Sequence, residues 1–382
     1  MAKQAENQTN QGFIDDLMGF DPSQVAAFNE PEQKSNQNPN LYKTNPLKVD
    51  SKTAPDGHYH AKVRIIYNPW DMKQSIVNNA HYAMYDADGF FMVDSRLAFG
   101  DRNCFIFKAW KKLHFDSSTD KIEVDGKQYT KKEWGDAMFD KSEERFCLVQ
   151  VISDENQPDK VGKFLGWRLP KAIYDVLQAK MRPTDKTKAP QDMMNYLFGP
   201  VLELDVTPGP DDPTAPERKQ REIKYTLCSF EADPTPIISV TGEDFFNDDE
   251  RDMITDYAVA KKVIMDTKAS TKKKDEAMAK CKELVEPLKK LMQKAMDYVK
   301  ENAINIVDEF GYHEPNDALR ARAEKWIDIV VNKLQNPVTY VDETAEDKSE
   351  STSDTGDKKD SKKKAAETPA VEMPNPADDL PF

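Results

Sequence analysis

The chain has 382 residues, 38% of them hydrophobic and 32% charged, with a formal net charge of -14 and a mean hydropathy of -0.77. That length supports one sizeable core with extensions, or two modest domains. No run reaches the roughly 18 apolar residues of a membrane helix, and the opening MAKQAENQTNQ has no apolar stretch of the kind a signal peptide carries. A soluble, cytoplasmic protein is the expectation. Cys104, Cys147, Cys228 and Cys281 are widely spaced with no CxxC pair, which argues against a disulfide framework and against a Cys-rich zinc site.

The acidity is unevenly distributed. Residues 57–230 carry 26 basic and 26 acidic side chains, whereas residues 337–382 carry 6 against 12. Residues 1–40, rich in Asn, Gln, Glu and Pro, are expected to be flexible, with one short apolar cluster (Phe13, Ile14, Leu17, Met18, Phe20, Val25 and Phe28) able to form a docking helix. From His58 to Tyr67 the pattern has period two, with Tyr59, Ala61, Val63, Ile65 and Tyr67 on one face and His60, Lys62 and Arg64 on the other. The run HYAMYDADGFFMVD reads as a hairpin turning at Asp86-Ala87-Asp88-Gly89. Strands follow at Arg145 to Ile152, Lys163 to Leu169, Val201 to Val206 and Arg221 to Phe230, with a helix after Pro170. A small, elaborated β-barrel or sheet is predicted.

Beyond Asp244 the spacing becomes helical. Helices are predicted over Asp252 to Met265, Asp275 to Val307 and about Pro315 to Leu334, with Pro287 marking a kink or break. The last segment, 337–382, has almost no large apolar residue and is predicted to be a disordered acidic tail. The fold class is thus α+β: a flexible segment 1–40, a β-rich core 41–245, a helical segment 246–336 and the tail.

Two clusters interleave cations with rings. Arg96, Arg102, Lys108, Lys111 and Lys112 alternate with Phe99, Phe105, Phe107 and Trp110, and Lys160, Lys163, Arg168 and Lys171 flank Phe164 and Trp167. Cations replace the counterions of a phosphate backbone, and flat rings stack on unpaired bases, so this pairing suits a single-stranded nucleic acid. The ordinary alternative is that strand aromatics fill a core beside a solvated basic face. The expected groove set is Arg64, Tyr67, Trp70, Tyr82, Tyr85, Arg96, Phe107, Lys108, Trp110, Lys111, Lys112, Lys163, Trp167, Arg168 and Lys171. Alternation sends half of each strand inward, so some of Tyr82, Tyr85 and Phe107 must fill the barrel.

The sequence ends Asp378-Asp379-Leu380-Pro381-Phe382, two carboxylates before an apolar tip with a terminal carboxylate. A basic-rimmed apolar slot on a partner protein would hold such a peptide. This tip resembles that of bacterial single-stranded DNA-binding proteins, whose pattern is Asp-Asp-Ile/Leu-Pro-Phe. The segment Ser153 to Leu177, with Gly162-Lys163 opening a strand and Ile173-Tyr174-Asp175 on a basic helix, resembles the T-even-type phage helix-destabilising proteins. NPLKVDSKTAPDGHYHAKVRIIYNP and the SIVNNAHYAMYDADGFFMVDS hairpin are similar to the first strands of that family, and the resemblance spans about residues 41 to 245.

What the resemblance implies is an OB-like core that coats single-stranded DNA in phage replication, recombination and repair, with the tip recruiting replication and repair proteins. The chain departs from the family in two ways. A basic N-terminal arm is missing, since Lys3 and Lys34 are the only cations before residue 41, and the family's close Cys/His zinc cluster is missing too. His58 and His60 lie on the same face of a strand, but with His81 and Cys104 they include no pair such as CxxC, so no metal or cofactor is expected. The helical segment is read as docking on the core or mediating self-association. An enzyme is not expected: no Walker lysine loop, GxSxG or HExxH is present, and the acids of GEDFFNDDERD suit a helix start as well as a catalytic metal. The reading from another class is a protein-only helical adaptor or virion component with a β scaffold.

Overall fold

The computed structural model describes residues 21–29, 47, 49, 58–86, 88–95, 104–124, 127–139, 141–185, 188, 190–208, 223–225 and 227–335. The chain divides into two compact units, one of residues 1–80, 98–100 and 142–313, the other of residues 81–97, 101–141 and 314–382. The architecture is α+β, with an antiparallel sheet and several helices toward the C-terminus.

In the first unit, β1 (Tyr59–Ile66) is flanked by β6 (Lys141–Asp154) and β8 (Pro200–Pro208), with Ile65 opposite Val149 and Ala61 opposite Leu204. β7 (Phe164–Arg168) pairs with β6, and β9 (Ile223–Lys224) and β10 (Ser229–Pro234) pair with β8. The single strand expected over Arg221 to Phe230 is thus two short ones. Period-two spacing explains the first half of β1, where Tyr59 and Ala61 are buried while His60 and Lys62 are half exposed. In its second half both faces are covered and Val63, Arg64, Ile65 and Ile66 are all buried. Gly162, at φ 83, makes the turn before β7 possible: a Cβ there would collide with the backbone of Ser239 and Gly242.

Helices cover this sheet. α3 (Lys171–Met181) buries Ile173, Tyr174, Leu177 and Met181, and its Tyr174 hydroxyl donates to the Ala27 carbonyl at 2.9 Å. Of the apolar cluster read as a docking helix, Val25 and Phe28 lie in two short 3-10 turns and join the core with Ala27, while Phe13, Ile14, Leu17, Met18 and Phe20 lie outside the described residues. Residues 1–20 lie outside the described residues. α4 (Asp248–Met265) packs on α5 (Thr271–Asn302), which runs through Pro287 without the predicted break. α6 (Ile306–Phe310) sets Phe310 flat on Phe146, with ring centroids 4.3 Å apart and planes at 4°.

The second unit is built on the hairpin of β2 (Ile76–Asp86, its first five residues belonging to the first unit) and β3 (Gly89–Asp94), with Met84 opposite Phe91. Gly89 takes φ 102 at the predicted turn. Four elements absent from the sequence reading follow: α1 (Phe105–His114), β4 (Ile122–Val124), β5 (Lys127–Tyr129) and α2 (Lys131–Met138). α7 (Asp317–Gln335) completes this unit. Its Trp326 stands edge-on to Phe139, and the Trp134 indole N–H donates to the Val330 carbonyl at 3.1 Å.

Candidate nucleic-acid interface

The described part of the basic and aromatic stretch is helical from Phe105 onward. On α1 the buried residues are Ile106 and Leu113, seven apart, so one stripe faces the core of the second unit. Phe107, Trp110 and His114 follow at spacings of three and four, which places them in one row on the helix surface. The rings form a ladder: Phe107 and Trp110 have centroids 5.3 Å apart at 29°, and Trp110 and His114 lie 4.3 Å apart at 26°. Phe115, 68% exposed, meets His114 edge-on at 4.9 Å just beyond the helix end.

Asp136 of α2 fixes the ladder. Its Oδ1 accepts from the Trp110 indole N–H at 3.0 Å and lies 2.6 Å from His114 Nδ1, while Oδ2 accepts from Lys132 at 2.8 Å. Partial burial of Asp136 pushes its carboxyl up, but the hydrogen bonds from Lys132, His114 and Trp110 outweigh this and hold it below the usual range. Asp116 is likewise matched by Lys131 at 2.9 Å. Lys108, Lys111 and Lys112 are exposed, and among the described residues no ion pair is recorded for them. The helix thus presents stacked rings beside three lysines that no acid among the described residues pairs.

The other expected residues distribute differently. Arg64, Tyr67, Tyr82 and Trp167 are corrections: their side chains are 0, 0, 2 and 1% exposed, and a buried ring cannot stack on a base. Arg64 alternates onto the outward face of β1, yet it is buried there against Asn195 and Thr235. Its guanidinium donates to Thr235 Oγ1 at 2.6 Å and to the Asn195 carbonyl at 3.4 Å. Burial pushes its pKa down to about 9. Tyr67 lies under Met194 and Tyr196, whose backbone carbonyl and hydroxyl bond its main chain. Trp167 sits opposite Cys147 in the β6/β7 pairing, and Tyr82 fills the core of the second unit.

Trp70, 40% exposed, and exposed Lys163 remain at the surface of the first unit. Lys171 pairs with Asp175 at 2.9 Å, and Arg168 with the buried Glu144 at 3.3 Å. Phe107, Lys108, Trp110, Lys111 and Lys112 belong to the second unit, and Trp70, Lys163, Arg168 and Lys171 to the first. Arg96, the Tyr85 side chain and the tip Asp378 to Phe382 lie outside the described residues.

Phe115, His114 and Asp136 were missed by sequence reasoning. The signal for Phe115 and His114 is the i, i+3, i+7 spacing Phe107, Trp110, His114 beside Ile106 and Leu113. Asp136 is 22 residues from His114, and only the folded unit brings the two together.

The acids of GEDFFNDDERD are used locally. Asn247 and Glu250 form a capping box, Arg251 bonds both Asp244 and Asp248, and Glu250 meets Lys294 at 2.7 Å. No protein-family model matches this chain, and no curated protein matches it.

Proposed function

We propose that this chain is a non-enzymatic single-stranded DNA-binding protein whose α1 ladder receives unpaired bases. The observation that carries the reading is the Phe107, Trp110, His114 stack anchored on Asp136 and bordered by Lys108, Lys111 and Lys112. Rings held in a row take bases without regard to sequence, and the adjacent ammonium groups meet phosphates. Trp70 and Lys163 form a second exposed ring and cation on the first unit.

In this reading the antiparallel sheet around β1, β6 and β8 is an elaborated OB-like core, as the resemblance of residues 41 to 245 implies, and the setting is phage DNA replication, recombination and repair. The Asp378 to Phe382 tip recruits replication and repair proteins. The test uses the full chain and fluorescently labelled dT oligomers. Trp110→Ala is expected to weaken binding by about 1–3 kcal/mol, about fivefold to 150-fold in Kd. A chain ending at Ala377 is expected to keep the DNA affinity and lose the protein partners. Absence of dT binding by the wild-type chain, or equal affinity of Trp110→Ala with the fold intact, contradicts the reading.

A further inference from the structure

At the start of β1 two imidazoles and one carboxylate converge. His58 precedes the strand and His60 lies two residues on, so both side chains emerge on the same side, and their rings stack with centroids 5.7 Å apart and planes at 10°. Asp205 of β8 is the cross-strand partner of His60. Its Oδ1 lies 3.4 Å from His58 Nδ1 and 3.9 Å from His60 Nδ1. One ligand atom from each of the three residues lies within 4.8 Å of the others, and among the described residues no other such group of His, Cys, Asp and Glu is found.

We infer that His58, His60 and Asp205 form a site for a divalent d-block cation, zinc in particular. A tetrahedral zinc with bonds of about 2.0–2.2 Å keeps its ligand atoms about 3.4 Å apart. The two N···O separations, 3.4 and 3.9 Å, already approach that edge length, so a cation enters with small side-chain rotations. Two imidazoles and one carboxylate suit zinc over magnesium or calcium, which take oxygen ligands.

The site also stands on rigid backbone. Tyr59 and Ala61 on one strand, and Leu204 and Val206 on the other, are buried on either side of the ligands, which fixes the direction each ligand leaves its strand. Asp205 has a supporting contact as well: its own carbonyl accepts from the Cys228 thiol at 3.6 Å. The side chains are 42, 42 and 30% exposed, so the remaining coordination position is open to water. A bound cation bridges β1 to β8 at the start of the sheet. This inference does not rest on DNA binding.

The experiment is a titration of zinc into the full, metal-stripped chain against a chromophoric chelator, repeated with His60→Gln and Asp205→Asn. Both substitutions are at half-exposed side chains and keep the strand intact, which far-UV circular dichroism checks. The wild-type chain is expected to take up one zinc ion and to melt at a higher temperature with it. Each variant is expected to bind at least about tenfold more weakly and to lose the thermal shift. With cobalt as a second probe, the wild type is expected to give the visible absorption of a four-coordinate ion. Failure of the wild type to bind zinc saturably, or binding that neither substitution weakens, overturns the inference.

Discussion

Gly166 lies under the ring of Phe310, and a Cβ at that position would overlap the ring atoms. The flat stack of Phe310 on Phe146 closes the same spot from the neighbouring strand, so the ring has little room to move away. Gly166→Ala is expected to destabilise the first unit by about 1–3 kcal/mol, the usual cost of overpacking a filled core. Urea denaturation checks this, and an unchanged midpoint contradicts the packing account. Arg64 shows the same covering of the sheet acting on a charge. Its position in the alternation marks it as outward, and the layer that buries it comes from residues more than 100 positions away. Periodicity reports which face a residue is on, but not whether another segment covers that face.

At the scale of elements, α7 is joined to the β2/β3 hairpin by one two-pronged ion pair. Arg322 Nε and Nη2 donate to the two oxygens of Asp86 at 2.6 and 2.5 Å, while the guanidinium lies 4.2 Å above the centre of the Phe91 ring. The hydrogen bonds from Arg322 hold the Asp86 carboxyl below the usual range. A depressed folded pKa gives stability that is present in full above the unfolded carboxylate value near about 3.9, and is lost as pH falls through the lower folded value. Arg322→Gln is expected to cost about 1–2 kcal/mol at neutral pH. The difference from wild type should shrink as the pH falls below about 4. Chemical denaturation at stepped pH measures this, and a pH-independent difference contradicts the assignment.

The elements that the sequence revealed are those long enough to repeat their pattern. β1, the β2/β3 hairpin, β6, β7, β8, α3 and the helices after Asp244 each carry a run of alternating or three-and-four spaced apolar residues. β4 and β5 have three residues each and α2 has eight, too few for a period to be seen. α1 was hidden by its own composition: Phe105, Phe107 and Trp110 put rings on several sides of the helix, and only Ile106 and Leu113 carry the helical period of the buried face. Of the kink or break predicted at Pro287, the break does not occur: Leu284, Leu288, Leu291 and Ala295 keep one continuous stripe against the core, and tertiary packing holds the helix together there.

For the molecule as a whole, charge is the quantity that connects fold to function. Residues 57–230 are electrically neutral in sum, yet the fold sets several of their acids against cations. Asp116, Asp136 and Glu144 each face a cation, and Asp86 faces Arg322, leaving the three lysines of α1 next to the ring ladder. The candidate site was therefore half legible: its cations and two of its rings were named from sequence, while four of the fifteen candidates proved to be core. The net charge of -14 concerns the whole chain and does not oppose a local basic face.

The most direct measurement is the salt dependence of dT binding by the wild-type chain and by a variant with Lys108, Lys111 and Lys112 changed to alanine. Each lost phosphate contact lowers the slope of log K against log salt by about 0.7 for a single strand. A wild-type affinity that falls steeply with salt, with the variant's slope shallower by up to about 2, is the predicted result. Identical slopes and affinities for the two chains would contradict it.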